Sequence, residues 1–219
     1  MKTGLFIFDL DGTLIDSKKD IKNSFNFAFK KNKIKIINDS FFKLNASRGS
    51  KYFIKKNLKN KNCERLINTI NSDFLKHYEV NCTKTTVCKL GAIDFLKEFK
   101  KKNFLIISTN KNEIFSIKIC KKLGIYKYFH KIYGSDTLSY KKPSKKYLKE
   151  IIKNYNIKKS KILIFGDSEV DYKLSSHYNL KHVLIDNGYT SLKNSQIKHD
   201  LLIKNFNNRK EVVIKLLNK

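Results

Sequence analysis

Residues 6–14 read FIFDLDGTL, an apolar run that ends in two aspartates one residue apart, followed by a glycine. The run predicts a buried strand over residues 5–8 whose carboxyl end presents Asp9 and Asp11. Ligands of open α/β sheets bind at that edge of the sheet. Two carboxylates this close repel each other unless a cation or a shared proton intervenes, and oxygen ligands suit Mg²⁺. The stretch therefore indicates a magnesium site, with an ordinary Asp-Gly turn as the alternative.

The length of 219 residues fits one large domain, or a core domain with a smaller insert. A hydrophobic fraction of 41% is enough to bury a sizeable core. No apolar run approaches the length of a membrane span, and the first residues lack the pattern of a signal peptide. We therefore expect a soluble, cytoplasmic protein, either a monomer or a homodimer, without a membrane partner.

The four cysteines are Cys63, Cys82, Cys88 and Cys120. None forms a Cys-x-x-Cys pair, and no histidine cluster accompanies them, which argues against a zinc site. We expect small apolar packing residues with free thiols in a reducing compartment.

The net charge of +28 raises the question of nucleic-acid binding. Only three of the 47 basic residues are arginine, and the lysines occur on nearly every predicted helix rather than in one stripe. Nucleic-acid-binding proteins usually show a localised basic patch, often with arginine. A compositional bias of the kind that AT-rich coding produces explains the lysines better, so we do not expect a nucleic-acid partner. A positive field would still attract an anionic substrate.

The stretch from residue 17 to 84 predicts helices and no strand. We expect a helical cap domain there, and a core domain formed by residues 1–16 and 85–219. Ser17 is expected to cap the first of these helices, since an acidic residue follows in the first turn. The helices are predicted at residues 17–31, from 39 or 40, around 52–58 and at 63–79.

From residue 91 onward, apolar strands alternate with amphipathic helices. Repeated strand–helix units of this length predict an α/β fold, a Rossmann-like parallel sheet with helices on both faces. The later strands are predicted at residues 104–108, 131–134, 161–165, 182–186 and 201–203. The helices are predicted at residues 91–102, 112–123, 144–155, 169–178 and about 207–218.

Polar side chains follow several of these strands. Thr109 and Asn110 follow one strand, a Lys-Lys-Pro run occupies residues 141–143, and residues 166–171 read GDSEVD. Because the carboxyl ends of parallel strands share one edge, we expect these groups to meet. Acids for a metal, a hydroxyl and an ammonium for an anion, and a nucleophile are what phosphoryl transfer needs.

The motifs DLDGT, STN, KKP and GDSEVD, in this order and with suitable gaps, closely resemble those of the haloacid dehalogenase-like superfamily. The resemblance covers nearly the whole chain, and the helical stretch is similar to that family's C1-type cap. It implies a phosphatase rather than a dehalogenase, because the dehalogenase branch lacks an acid at the position of Asp11.

The resemblance also implies roles for individual residues. Asp9 would be the nucleophile that forms an aspartyl-phosphate intermediate. Asp11 would be the general acid toward the leaving oxygen and then the general base toward water. Thr109 and Asn110 would hold phosphate oxygens.

Lys142 would neutralise the phosphate and tether the nucleophile, because the lysine directly before the proline fits the family pattern. Mg²⁺ would be bound by Asp9, the Leu10 carbonyl and Asp167, with Asp171 orienting the ligands or Lys142. The acids that we assign to the metal site are Asp9, Asp11, Asp167 and Asp171.

Within the superfamily the chain looks most like the phosphoglycolate phosphatase group, through the segments at residues 16–21, 134–137 and 186–190. Lys145 departs from the second proline that is usual there. The resemblance implies a small phosphorylated metabolite as substrate, with 2-phosphoglycolate as first candidate. A β-phosphoglucomutase-like phosphomutase, a pyrophosphatase and a nucleotidase remain alternatives. Arg48, a rare arginine between helices of the expected cap, either faces the substrate or is exposed to solvent.

Overall fold

The computed structural model describes residues 2–59 and 63–218. Six of its strands form one parallel sheet in the order β5-β4-β1-β6-β7-β8, and the other two pair with each other in antiparallel fashion. The strands are β1 (Gly4–Phe8), β2 (Ile15–Asp16), β3 (Val87–Cys88), β4 (Asn103–Ser108), β5 (Lys131–Tyr133), β6 (Ile162–Gly166), β7 (Lys181–Ile185) and β8 (Leu201–Ile203).

The helices lie on both faces of this sheet and in a separate layer above its carboxyl edge. They are α1 (Lys18–Lys31), α2 (Asp39–Asn45), α3 (Ser50–Asn57), α4 (Glu64–Asn81), α5 (Ala92–Phe99), α6 (Glu113–Lys122), α7 (Lys145–Ile152), α8 (Glu169–Ser176) and α9 (Lys210–Asn218). The expectation of a Rossmann-like α/β fold is confirmed.

Strand β1 lies at the centre of the sheet, and all five of its residues are buried. Phe6 and Phe8 belong to the hydrophobic cluster on one face, whereas Leu5 and Ile7 belong to the cluster on the other. A parallel strand covered on both faces needs a continuous apolar run rather than alternation. This requirement explains why the LFIF segment before Asp9 forms the central strand.

Helices α1 to α4 form what we call the helical segment. Its interior is built from stacked aromatic rings: the centroid of Phe25 lies 4.2 Å from that of Phe53 and 4.0 Å from that of Phe74. The helices predicted between residues 17 and 84 are all present, with ends shifted by a few residues. The cap boundaries at residues 17 and 84 stay a prediction.

The antiparallel pair of β2 and β3 was not predicted from the sequence. Ile15 pairs with Cys88 and Asp16 with Val87, so this pair joins the chain entering the helical segment to the chain leaving it. Two residues are too short a strand to show an alternating pattern.

Among the described residues, no helix combines the length and apolarity needed to cross a membrane. All four cysteines are free. Cys82 and Cys120 are buried, as expected of packing residues, but Cys63 is exposed, so the packing expectation was wrong for it.

Candidate active site

A cavity of about 250 Å³ lies between the carboxyl edge of the sheet and the helical segment. Seven of the residues selected from the sequence line it, although they come from four separate parts of the chain. They are Asp9, Asp11, Thr109, Asn110, Lys142, Asp167 and Asp171.

Lys142 occupies the floor of this cavity. Its Nζ donates to Asp9 Oδ1 at 2.6 Å and to Asp171 Oδ1 at 2.7 Å, and its side chain is almost fully buried. Burial alone would lower the pKa of Lys142, but the charges of Asp171 and Asp9 outweigh burial and raise the pKa above its ordinary value. The lysine is therefore a permanent cation, and it fixes one oxygen of Asp9.

The single positive charge of Lys142 does not balance the negative charges of the carboxylates around it. Burial raises the pKa of Asp9 well above its usual value, and the opposing charge of Lys142 does not offset it. Burial also raises the pKa of Asp167 to about 6, with a further contribution from the charge of Asp171. Without another cation, these side chains resist full ionisation at the same time.

Three of the four acids that we assigned to the metal site meet here. One oxygen each of Asp9, Asp167 and Asp171 lies within 4.8 Å of the others, the one acidic cluster of this kind among residues 2–59 and 63–218. Hard oxygen donors with unbalanced negative charge fit Mg²⁺. Asp11 lies outside this cluster.

Asp167 is held by two donors from different loops. Thr13 Oγ1 donates to its Oδ1 at 2.9 Å, and the backbone N–H of Tyr189 donates to its Oδ2 at 2.5 Å. Gly12 approaches the same carboxylate: it has φ +82°, and an added Cβ would lie 2.4 Å from Asp167 Oδ2. The glycine of the first motif is thus required by both its backbone conformation and this close approach.

Asp11 has partners of its own. Ser17 Oγ donates to its Oδ1, and Lys111 Nζ lies 3.1 Å from its Oδ2. The expectation that Ser17 caps α1 was wrong in one respect: Ser17 occupies the N-cap position, but its side chain makes no cap hydrogen bond. The hydroxyl binds Asp11 instead.

The sequence motifs did not identify Lys111 as a residue of this site. Its side chain is 7% exposed, and it lines the cavity. With lysines throughout the chain, its residue type gave no signal, and only its position directly after Asn110 could have indicated a role.

Thr109 and Asn110 both lie where β4 ends. Thr109 is buried, and its Oγ1 accepts from the backbone N–H of Lys111 at 3.2 Å. Asn110 Nδ2 donates to the Ser47 carbonyl of the helical segment at 2.8 Å. Among the described residues, buried Asn110 Oδ1 has no hydrogen-bond partner. The amide therefore connects the sheet edge to the helical segment.

The structure does not bring Arg48 to this cavity. Arg48 lines a neighbouring groove, with its guanidinium 3.6 Å from Glu169 and 5.2 Å from the centroid of the Tyr52 ring. Its side chain is 45% exposed. Contact of Arg48 with a substrate therefore stays a prediction.

Comparison with known families agrees with this site. The sequence profile of the haloacid dehalogenase-like hydrolases matches residues 6–185, which include every predicted site residue. The chain belongs to the haloacid dehalogenase-like hydrolase family, and the resemblance seen in the motifs is confirmed.

Similar proteins indicate the group within this family to which the chain is related. The phosphoglycolate phosphatase of Mesorhizobium japonicum is 27% identical, over 94% of this chain and 92% of that protein. The phosphoglycolate phosphatase of Aquifex aeolicus is 33% identical, over 88% of this chain and 89% of that protein. The expected membership of the phosphoglycolate phosphatase-like group is confirmed.

Solved structures of other proteins have the same fold as this chain. A predicted phosphoglycolate phosphatase from Haemophilus somnus has a TM-score of 0.88 at 21% identity, covering 97% of this chain and 99% of that one. CbbY from Rhodobacter sphaeroides, solved in complex with phosphate, has a TM-score of 0.81 at 18% identity, covering 94% and 96%.

Proposed function

We propose that this protein is a Mg²⁺-dependent phosphatase that hydrolyses a small phosphorylated metabolite through an aspartyl-phosphate intermediate. The observation that carries the proposal is Lys142, which holds Asp9 at 2.6 Å inside a cavity that also contains Thr109 and the acidic cluster. A fixed carboxylate beside a permanent cation suits attack on an anionic phosphorus centre.

In the first step, an oxygen of Asp9 attacks phosphorus while the bond from phosphorus to the ester oxygen breaks. Asp11 gives its proton to the departing oxygen, so an alcohol leaves rather than an alkoxide. Lys142 and the Thr109 hydroxyl stabilise the charge on the phosphate oxygens. Mg²⁺, when bound by Asp9, Asp167 and Asp171, supplies further positive charge for those oxygens.

In the second step, Asp11 takes a proton from water, and the water oxygen attacks phosphorus. The bond between Asp9 and phosphorus breaks, which releases inorganic phosphate and restores the carboxylate. Ser17 and Lys111 hold Asp11 in place for both steps.

The substrate is proposed from the relatives and from the cavity. Relatives named phosphoglycolate phosphatase align over most of this chain, and 2-phosphoglycolate is small enough for a cavity of about 250 Å³. We propose that residues 17–84 form the cap that encloses it. Four free cysteines support a reducing compartment such as the cytoplasm, with the enzyme as a monomer or homodimer.

The test is phosphate release from a panel of phosphorylated metabolites, with and without Mg²⁺. We expect Mg²⁺-dependent release and at least about a thousandfold lower turnover for Asp9→Asn, which cannot form the covalent intermediate. A matched control is Asp39→Asn, which changes an exposed aspartate on α2. Full activity of Asp9→Asn would refute the proposal, and an isomerised sugar phosphate as product would indicate a phosphomutase.

A further inference from the structure

The cavity holds a second buried cation whose charge the catalytic steps above do not place on the substrate. Lys111 follows β4, and its side chain is 7% exposed. Burying an ammonium is costly unless anions or other acceptors surround it. Its partners therefore show what else this position can bind.

Lys111 is paired with less negative charge than Lys142. Its Nζ lies 3.1 Å from Asp11 Oδ2 and donates to the Tyr78 hydroxyl at 2.6 Å. The ammonium also lies 4.4 Å from the centroid of the Tyr78 ring. Lys142 contacts two carboxylates, whereas Lys111 contacts one. An ammonium has three N–H donors, so Lys111 retains capacity for another acceptor.

Tyr78 adds a second donor at the same place. Its hydroxyl accepts the N–H of Lys111 and keeps its own proton, because burial raises its pKa well above the usual value. A tyrosine hydroxyl can donate while it accepts. Since Tyr78 belongs to α4 and Lys111 to the sheet edge, this pair of donors joins the two walls of the cavity.

The other charged residues of the cavity also indicate that Lys111 is available to bind an anion. Apart from four aspartates, every charged residue that lines it is a lysine: Lys51, Lys111, Lys141 and Lys142. Lys51 and Lys141 are exposed. Lys142 contacts Asp9 and Asp171, and the proposed steps assign its remaining N–H to the phosphate. Lys111 is therefore the buried cation that a second anionic group of a substrate would meet.

We propose that Lys111 and Tyr78 bind a carboxylate of the substrate, so that the enzyme selects phosphate esters that carry a carboxylate close to the ester oxygen. The inference rests on the proposed function and adds the residues that select the substrate. An ammonium and a hydroxyl match the two oxygens of a carboxylate. With Asp11 within hydrogen-bond reach of the leaving oxygen, Lys111 Nζ lies within about 6 Å of it. That distance suits a carboxylate one or two carbon atoms away.

The experiment compares 2-phosphoglycolate with ethyl phosphate, which has the same number of carbon atoms but no carboxylate. In the presence of Mg²⁺, we expect the wild type to prefer 2-phosphoglycolate by at least about tenfold in kcat/KM. Lys111→Met, which keeps the apolar stem, should lose about 10- to 100-fold on 2-phosphoglycolate, mainly through KM. On ethyl phosphate, the loss in kcat/KM reflects the contact of Lys111 with Asp11 and should be at least about fivefold smaller than the loss on 2-phosphoglycolate.

Two further variants control the result. Tyr78→Phe keeps the ring and should show a smaller loss that is again specific to 2-phosphoglycolate. Lys51→Met removes an exposed lysine of the same cavity and should change neither substrate by more than about threefold. If Lys51→Met lost the same selectivity, the general positive field rather than Lys111 would be responsible, and the inference would be wrong.

The outcomes separate this inference from the proposed function. Equal losses on both substrates in Lys111→Met would mean that Lys111 only positions Asp11, which overturns the inference and leaves the phosphatase intact. Equal turnover of both substrates by the wild type would overturn it as well. Absence of Mg²⁺-dependent phosphate release by the wild type from every ester would refute the proposed function, and this inference with it. Should Lys111→Met not fold, Tyr78→Phe gives the deciding result.

Discussion

The two walls of the cavity are built in different ways. At the sheet edge, Lys142 Nζ lies within 2.7 Å of one oxygen of Asp9 and one oxygen of Asp171. In the helical segment, the wall includes stacked rings such as Phe25 and Phe74, whose centroids are 4.0 Å apart. One wall is held by charge and hydrogen bonds, and the other by apolar packing.

The two walls have different roles in the site. Charges fixed on a rigid sheet suit a reaction that is common to a family, because the transition state needs donors at set positions. Apolar packing accepts many sequences at similar total volume, so it can vary with the substrate. The two walls should therefore respond differently to metal, pH and substitution.

The largest effect is expected for Lys142→Met. Without Mg²⁺ at neutral pH, the free energy of unfolding should fall by about 3–5 kcal/mol, because Asp9 and Asp171 lose their shared cation. Turnover should fall by at least about a hundredfold. Chemical denaturation with and without Mg²⁺ measures the first effect, and added Mg²⁺ should restore part of the stability. Lys141→Met, at the exposed neighbour, is the control, and an equal loss there would contradict the interpretation.

A comparable loss of stability, but of another kind, is expected for Phe53→Ala in the helical segment. Phe53 is fully buried, and its ring centroid lies 4.2 Å from that of Phe25. Removing it should lower the free energy of unfolding by about 3–5 kcal/mol, through lost burial and the cavity left behind. Denaturation in the same buffers should show no recovery with Mg²⁺ beyond that of the wild type. Full recovery would contradict the contrast between the walls.

A smaller effect is expected where the helical segment joins the sheet. Asp20 on α1 is buried and accepts hydrogen bonds from the backbone N–H and hydroxyl groups of Thr85 and Thr86. Asp20→Asn replaces an acceptor with a donor and should cost about 1–3 kcal/mol in the free energy of unfolding. Asp39→Asn, at an exposed aspartate, should cost less and serves as the control.

The effect of Asp20 should depend on pH. Burial alone would raise its pKa, but the hydrogen bonds from Thr85 and Thr86 together outweigh burial and lower it. A carboxylate with a lowered folded-state pKa contributes its stability above the unfolded pKa of about 3.9, and the contribution is lost as pH falls through the folded value. Denaturation of wild type and Asp20→Asn at pH 7 and below pH 4 should thus show a difference that shrinks in acid.

The smallest effect is expected for Arg48→Ala. The Arg48–Glu169 pair is 3.6 Å long, and the arginine side chain is 45% exposed. Such a pair contributes at most about 1 kcal/mol and is screened by salt. Steady-state kinetics should give a kcat/KM within about threefold of the wild type. A loss above tenfold would show that Arg48 reaches the substrate, as the sequence hypothesis held.

Much of the charged wall could be predicted from the sequence. A buried strand must end somewhere, and Asp9 follows directly on the apolar run that forms β1. The six main strands are parallel, so their carboxyl ends share one edge, as the sequence predicted. Thr109 and Asp167 lie near Asp9 because β4 and β6 flank β1 in the sheet. The motif order then identified Lys142 among many lysines.

The site residues that the sequence did not predict depend on contacts between residues far apart in the chain. Nothing local distinguishes Lys111 from other lysines, and its role appears only when Tyr78 and Asp11 lie beside it. Ser17 looked like a helix cap because that is the commonest use of serine before a helix. Its bond to Asp11 exists because the chain turns back between them.

The buried strand before Asp9, the alternation of strands and helices, and the acids that follow the strands could be predicted from the sequence, since they follow from local hydrophobicity and from the geometry of parallel sheets. The fold was needed to show which acids share the cluster, where Arg48 lies, and that Lys111 meets Tyr78 across the cavity. Burial periodicity acts over a few residues, whereas charge pairing depends on distances in the folded chain.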